Sequence, residues 1–253
     1  MNILIYGIGG KMGKTLLTAS QNTDDIKAVA GVDVFADPTD YNIPVYKSIN
    51  QTKESFECII DFSAHEAVFD ILPFAISKKI PCVLATTGYN EDELDLIDKA
   101  AQTIPIFKTG NMSLGINVLS KLVMAAANML ENADAEIIET HHNQKVDAPS
   151  GTALMLLHAI EDSRGPVKPI FGRSGISSPR DSKEVGIHAI RGGSVVGKHS
   201  VMFMMNNEVL TLTHEAENKI VFANGAIDAA RFLVDRTEAG IYNMNHLLNT
   251  RYS

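Results

Sequence analysis

The 253 residues include no tryptophan and only two cysteines, Cys58 and Cys82. Both cysteines lie in apolar, strand-like segments, and their spacing fits neither a metal site nor a disulfide framework. Core packing is the role expected of them, and a chain without staples suits a reducing compartment. No apolar run approaches membrane-span length, so no spanning helix is predicted. The sequence opens directly on a strand with no signal-peptide pattern, and a cytoplasmic location is expected. An excess of basic residues is also missing. Twenty-two Lys and Arg stand against 30 Asp and Glu, a net charge of −8. Such a balance argues against nonspecific nucleic-acid binding, which needs a basic face. It leaves room for an anionic substrate, because a local cluster of cations can override the global sign. Hydrophobic residues make up 45% of the chain, enough to bury a core in one large domain or two modest ones. No internal repeat or low-complexity tail is visible, and no metal site is expected.

The first strand, Asn2 to Tyr6, runs into Gly7-Ile8-Gly9-Gly10-Lys11-Met12-Gly13, and Lys14 to Ser20 reads as a helix. A glycine-rich turn between a first strand and a first helix lets backbone approach a pyrophosphate, whose charge meets the helix N-terminus. The strict G-x-G-x-x-G pattern fails at Met12. The glycines that fit are Gly7, Gly10 and Gly13. A second strand, Ala28 to Val32, ends at Asp33, where an acidic residue is placed to accept hydrogen bonds from an adenosine ribose. Val34, not Arg, follows it, so no dedicated clamp for a 2′-phosphate is visible and NADH is favoured. Lys11 and Lys14 leave NADPH open.

Strand and helix then alternate. Pro38 to Val45 reads as loop, Glu57 to Phe62 as strand, His65 to Lys78 as helix, Pro81 to Ala85 as strand. Glu91 to Gln102 is helical and Ile104 to Phe107 is one more strand. This alternation predicts α/β architecture, a Rossmann-type doubly wound parallel sheet with helices on both faces. The turns at Gly7, Asp33, Phe62, Thr86 and Asn111 all fall at carboxyl ends of strands, where such sheets bind ligands.

After a long helix, Leu114 to Leu130, whose methionines read as packing, the pattern changes. Ala135 to Thr140 is a strand that breaks into a polar loop holding His141, His142 and Lys145. The loop closes on Pro149-Ser150-Gly151-Thr152, with Ser150 as N-cap of a helix. Three potential cations thus sit beside a helix N-terminus, which has free N–H groups and a partial positive charge. Ser163 to Ser182 is polar and rich in Pro and Gly. From Val185 the chain reads as antiparallel strands, Val185 to Ile190 and Ser194 to Met205 flanking Arg191-Gly192-Gly193. An Asn206-Asn207-Glu208 turn leads to a strand over Val209 to His214. Phe222 to Val234 is a final helix, opened by Asn224 and Gly225. A second, α+β domain with a mixed or antiparallel sheet is therefore expected over residues 113–219, inserted in a dinucleotide-binding domain of residues 1–112 and 220–253. His65, His158, His188 and His246 carry no functional signal. His199 and His214 are assigned to packing or hydrogen bonding within the sheet.

These residues resemble the dihydrodipicolinate reductase (4-hydroxy-tetrahydrodipicolinate reductase) family of the diaminopimelate route to lysine. The resemblance spans the chain. It rests on Gly7 to Gly13, Ala85-Thr86-Thr87-Gly88, Asn111 to Asn117, the Glu139 to Ala153 run, Arg191-Gly192-Gly193 with Val196-Gly197-Lys198-His199, and Phe222 to Ala226. It implies NAD(P)H-dependent reduction of a small cyclic dicarboxylate, and a homotetramer assembled through the sheets of the second domain. By matching position it implies catalytic, proton-handling roles for His141 and Lys145, and substrate binding by His142 and by the amides of Gly151 and Thr152. Cofactor contacts are implied at Gly7, Ile8, Gly9, Gly10, Lys11, Met12, Asp33, Ala85, Thr86, Thr87, Thr109, Gly110, Asn111 and Met112. A basic residue that is often Arg in the family is Lys219 here, which keeps the charge and loses the bidentate fork. Two other readings compete. Another two-domain NAD(P) dehydrogenase acting on an amino acid would share the glycine turn without the His141 to Thr152 loop. A nonenzymatic NAD(P) sensor would carry a degraded substrate loop. Because loop and nicotinamide belong to different domains, closure is expected.

Overall fold

The computed structural model describes residues 1–176 and 178–251. The element order is β1 (Asn2–Tyr6), α1 (Lys11–Gln21), β2 (Lys27–Val32), β3 (Val45–Tyr46), β4 (Cys58–Asp61), α2 (Val68–Lys78), β5 (Cys82–Leu84), α3 (Glu91–Ala100), β6 (Pro105–Lys108) and α4 (Leu114–Met129). It continues with β7 (Asp134–His141), α5 (Gly151–Arg164), β8 (Lys168–Phe171), β9 (Glu184–Arg191), β10 (Gly197–Met205), β11 (Glu208–Ala216), α6 (Ile220–Val234), β12 (Gly240–Tyr242) and α7 (Met244–Arg251). Two compact units result. The first is Met1–Ser113 with Lys219–Ser253, and the second is Leu114–Asn218.

Unit 1 is a seven-stranded sheet in the order β12-β6-β5-β4-β1-β2-β3. Every pairing in it is parallel. Parallel sheets survive only when both faces are covered, and β4 and β5 accordingly read as unbroken buried runs. The covering helices show why they pack there. On α2, Val68, Ile71, Leu72 and Ala75 recur at helical spacing and are fully buried. Truncating Leu72 to Ala would cost ~2–5 kcal/mol. On α6, Ala223, Ala226, Ile227, Ala230 and Leu233 form the matching face, and α6 packs across β4, β5 and β6. Cys58 and Cys82 are free and buried in this core. The strand order reverses at β1 and β4, the switch point where doubly wound sheets place ligands.

Unit 2 has a five-stranded sheet in the order β11-β10-β7-β9-β8, with α4 and α5 packed on one face. Residues alternate inward and outward along β7, which buries Ala135, Ile137, Glu139 and His141. The opposite face presents Ile138, Ile190, Met202 and Val209, of which Ile190 and Val209 are half exposed. The hairpin at Asn206-Asn207 forms as expected between antiparallel β10 and β11, with Asn207 at φ +64°.

Several expectations need correction. Residues 185–190 and 194–205 are not an antiparallel pair. β7 lies between them, antiparallel to β10 and parallel to β9. The intervening loop crosses the end of β7, where Gly192 N–H donates to His141 C=O (2.9 Å) and His142 N–H to Val195 C=O (2.8 Å). β10 begins only at Gly197, because residues 194–196 belong to that loop. The polar stretch 163–182 contains a strand, β8, parallel to β9. Pro38–Asp40 is a 3-10 turn and Val45–Tyr46 an edge strand, within a stretch read as loop. The helix expected from His65 begins as a 3-10 turn, and regular α2 starts at Val68. α1 starts at Lys11. α6 starts at Ile220, so Asn224 and Gly225 lie inside the helix. Gly225 is there for contact, since a Cβ would sit 1.7 Å from the Met112 carbonyl oxygen.

Candidate active site

In unit 1 the turn after β1 is drawn tight by backbone. Gly7 adopts φ +79°, its N–H donates to Val32 C=O (2.8 Å), and Gly10 N–H donates to Gly7 C=O (3.1 Å). A Cβ at Gly13 would lie 2.2 Å from the Gly7 oxygen. No side chain caps α1 at Gly10, so the first-turn amides of Lys11, Met12 and Gly13 remain for an anion. Asp33 closes the neighbouring edge. Its Oδ2 accepts from Gly9 N–H (2.9 Å), and its Oδ1 from Phe35 N–H (2.8 Å) and Ala36 N–H (3.1 Å). A Cβ on Gly9 would meet that Oδ2 at 2.8 Å. The turn therefore fits a pyrophosphate cradle in which Gly7, Gly9 and Gly13 leave no room for a side chain.

Beyond β4 and β5 the loops are tied together by one buried acid. Asp61 Oδ1 accepts from Ser63 N–H (3.0 Å) and from the Ser63 hydroxyl, and Oδ2 accepts from the Thr86 hydroxyl (2.8 Å). Burial pushes the Asp61 carboxyl up to about 6, against the pull of these hydrogen bonds. A cleft of about 310 Å³ opens beside it, lined by Met12, Phe62, Ser63, Ala64, His65, Ala85, Thr86 and Thr87. His65 Nδ1 is 2.7 Å from the buried Glu93 carboxylate. At the end of β6 the turn is internally bonded. Thr109 Oγ1 donates to Asn111 C=O (3.3 Å), and Asn111 Oδ1 accepts Ser113 N–H (2.8 Å). Met112 is buried.

Unit 2 builds its site from charged side chains. Glu139, fully buried on β7, is the hub. Arg191 holds it with a two-pronged contact, Nη1 to Oε2 at 2.7 Å and Nη2 to Oε1 at 2.8 Å. Oε1 also accepts Ser150 N–H (3.0 Å), and Oε2 meets His141 Nδ1 at 2.5 Å. Burial would raise the Glu139 carboxyl, but Arg191, His141 and Ser150 outweigh it and hold it low. An ionised Glu139 keeps the His141 proton on Nδ1 and leaves Nε2 for chemistry. Burial lowers His141, with Glu139 opposing. A Cβ at Gly197 would come within 3.1 Å of His141 Nε2.

Ser150 joins this hub to the helix. Its hydroxyl accepts Ala153 N–H (3.2 Å) and lies 3.0 Å from His199 Nε2. His199 packs edge-on against His141, ring centroids 5.1 Å apart. Burial, then the neighbouring His141, push His199 down to about 4, so it stays neutral. Glu139 thus fixes His141 and the α5 N-terminus, with Gly151 and Thr152, in one frame. Lys145 Nζ lies 2.7 Å from Asp147 Oδ1, and that pairing lowers the Asp147 carboxyl. His142 Nδ1 is buried without a hydrogen-bond partner.

Each unit thus gathers its own set of singled-out residues. Gly7 to Met12, Asp33, Ala85 to Thr87 and Thr109 to Met112 all lie at carboxyl ends of unit 1 strands. His141, His142, Lys145, Gly151 and Thr152 share one end of the unit 2 sheet. Sequence reasoning passed over Glu139 and Arg191 as site members and gave His199 only a packing or bonding role. Their signal was alternation on β7, which puts Glu139 and His141 on one face, though the partners 52 and 49 residues away from Glu139 and Ser150 had no local marker.

The strand order and turns of unit 1 are those of a Rossmann-type doubly wound domain. Solved structures share the fold. A dipicolinate-bound dihydrodipicolinate reductase from Paenisporosarcina sp. TG-14 superposes with TM-score 0.80 at 22% identity, covering 97% of this chain and 98% of that one. A probable dehydrogenase from Thermotoga maritima gives 0.63 at 11% identity, covering 98% and 92%. The family models for the N-terminus and C-terminus of dihydrodipicolinate reductase match residues 1–112 and 115–248, and the chain belongs to this family. The 4-hydroxy-tetrahydrodipicolinate reductase of Caldanaerobacter subterraneus is 45% identical over 249 residues, 98% of each chain. That of Clostridium tetani is 42% identical over 252 residues, 99% of this chain and 98% of the relative.

Proposed function

We propose that this chain reduces 4-hydroxy-tetrahydrodipicolinate to tetrahydrodipicolinate on the diaminopimelate route to lysine, using NADH or NADPH, with NADH favoured. The observation that carries the reading is the Glu139 hub, which fixes a histidine, an arginine and a helix N-terminus around one end of a sheet. A dicarboxylate needs cations and N–H dipoles, and the α5 N-terminus with His142 and Lys145 supplies both. In unit 1 the α1 amides and the Gly7–Gly10 turn would hold the pyrophosphate, Asp33 the ribose, and the Ala85–Thr87 and Thr109–Met112 loops the nicotinamide side. The bound nicotinamide supplies a hydride. Once water is lost from the substrate, the reduced carbon skeleton needs a proton. His141 donates it from Nε2 as the imidazolium, which Glu139 stabilises at Nδ1, or takes it up from Lys145 at a free Nε2 and passes it on. Asp147 holds the Lys145 side chain in place.

The open face of the unit 2 sheet, with Ile190 and Val209 half exposed, supports assembly into a homotetramer through that sheet. No helix among the described residues is long and apolar enough to cross a membrane. A cytoplasmic site of action, without nucleic-acid or membrane partners, goes with this reading. The test is oxidation of NADH and NADPH with substrate made fresh by a coupled synthase. Turnover that collapses in His141→Ala and Lys145→Ala is expected. A folded sample that binds NADH and turns nothing over would overturn the proposal. If Lys145→Ala lost affinity while kcat held, the lysine's acid role would be wrong.

A further inference from the structure

Phe35 is 93% exposed and its neighbour Val34 59% exposed, both just beyond β2 beside Asp33. Single apolar residues on a surface are ordinary, and on a loose loop these two would mean little. This loop is pinned from both sides. Asp33 takes the Phe35 and Ala36 amides on Oδ1 and the Gly9 amide on Oδ2. Lys47 Nζ donates to the carbonyls of Val34 (3.0 Å) and Ala36 (2.6 Å). Ala36 is buried. A rigid backbone therefore holds one aromatic ring in solvent, next to the acid and glycine turn of the proposed dinucleotide site.

We infer that Phe35 is the stacking platform for the adenine ring of the dinucleotide, and that this edge of the site selects a ribose without a 2′-phosphate. The inference rests on the cofactor reading above. An adenine ring needs only an open π-face, and an aromatic side chain already ordered by its backbone loses little freedom on binding. Asp33 Oδ2 carries one hydrogen bond and retains a lone pair for a ribose hydroxyl. A phosphate there would face the Asp33 carboxylate at close range. Lys47 offsets this charge only in part, because two of its three donors hold the Val34 and Ala36 carbonyls and one is left for a phosphate. Val34 offers a phosphate no hydrogen bond.

The experiment measures the binding of NADH, NADPH and ADP-ribose to the full chain and to two variants. Phe35 supports none of the core, so both variants are expected to fold. Phe35→Ala should weaken NADH and ADP-ribose by about tenfold, the scale of a lost base–aromatic stack. Phe35→Trp should keep the affinity. Because the chain has no other tryptophan, its fluorescence reports that indole alone, and ADP-ribose should quench it. Wild-type affinity for NADH in Phe35→Ala, or binding to Phe35→Trp with unchanged fluorescence, would overturn the platform. Tighter wild-type binding of NADPH than NADH would overturn the selection. A wild-type chain that binds none of the three ligands would overturn the cofactor reading itself, a result distinct from failure of the platform alone.

Discussion

The two units prepare for their ligands by opposite means. Unit 1 works with backbone. Its turns leave amides for an anion, and glycines stand where a Cβ would strike the chain. Unit 2 works with ionised side chains bonded to one another through Glu139. The first kind of site is sensitive to volume and indifferent to most surface charges. The second keeps its fold when volume is added at its mouth but does not survive the loss of a charge inside. Substitutions of the two kinds should therefore have opposite profiles.

The largest effect is expected from Gly13→Ala. Its Cβ would lie 2.2 Å from the Gly7 oxygen and 2.6 Å from Ile8 Cα, and neither can yield without opening the turn. Overpacking against backbone costs ~3 kcal/mol or more, the upper end of its usual range, and NADH affinity should drop by at least ~100-fold. Retention of wild-type affinity by calorimetry would refute the cradle. Next comes Glu139→Gln, nearly isosteric but uncharged. Arg191 and His141 lose their common partner, and kcat should fall ~100-fold, the low end of what a positioned general acid contributes. The Kd for NADH should not move, and a shifted Kd with intact kcat would reverse the division between units.

Titration sharpens the contrast, because the buried groups of the two units pull stability in opposite directions. His199 titrates at about 4 folded against the ordinary imidazole value of 6.5, so the unfolded chain takes the proton first as pH falls. Its stabilisation is full above the unfolded value and drains away between pH 6.5 and 4, by ~1–3 kcal/mol. Asp61 is raised from 3.8 to about 6, so the folded chain holds its proton longer. Its stabilisation is full below 3.8 and is lost as pH rises through 6, on the order of 1–3 kcal/mol. Denaturant midpoints across this range should diverge from wild type with opposite slopes in His199→Gln and Asp61→Asn. Parallel curves would contradict both assignments. The smallest change in stability belongs to Gly151→Ala, where a Cβ meets nothing within 4 Å. Unfolding free energy should hold within ~0.5 kcal/mol. The KM for substrate should rise several-fold, since the methyl group occupies the mouth of the α5 N-terminus, and an unchanged KM would move the substrate elsewhere.

Unit 1 was largely legible because its signals are local. A glycine turn follows β1, an acid ends β2, and buried apolar runs alternate with amphipathic helices. The strands that escaped notice were the short edges. β8 begins Lys168-Pro169 amid a Pro- and Gly-rich stretch, and β12 is only Gly240–Tyr242. Such strands bury little and show little pattern. In unit 2, neighbours in sequence suggested a hairpin between residues 185–190 and 194–205. What places β7 between them is a set of pairings fifty to seventy residues apart, such as Ile137 with Ile187 and with Val201. The same distance hid the Glu139 hub. His141 and Lys145 drew attention as residue types in one loop, whereas Arg191 and His199 matter through contacts that only the folded sheet creates.

Unit 1 is interrupted, and the interruption has a consequence for synthesis. α6, which covers β4, β5 and β6, and β12, which extends the sheet beyond β6, are encoded after all of unit 2. A growing chain that has finished β6 still has an incomplete sheet, with one face of its central strands bare. Unit 2 has every one of its elements in hand before Lys219 is made. The half of the protein that begins first is thus completed last, and the N-terminal strands wait through the making of the whole second unit. Translation stalled before Ile220 leaves an apolar sheet face as a chaperone target.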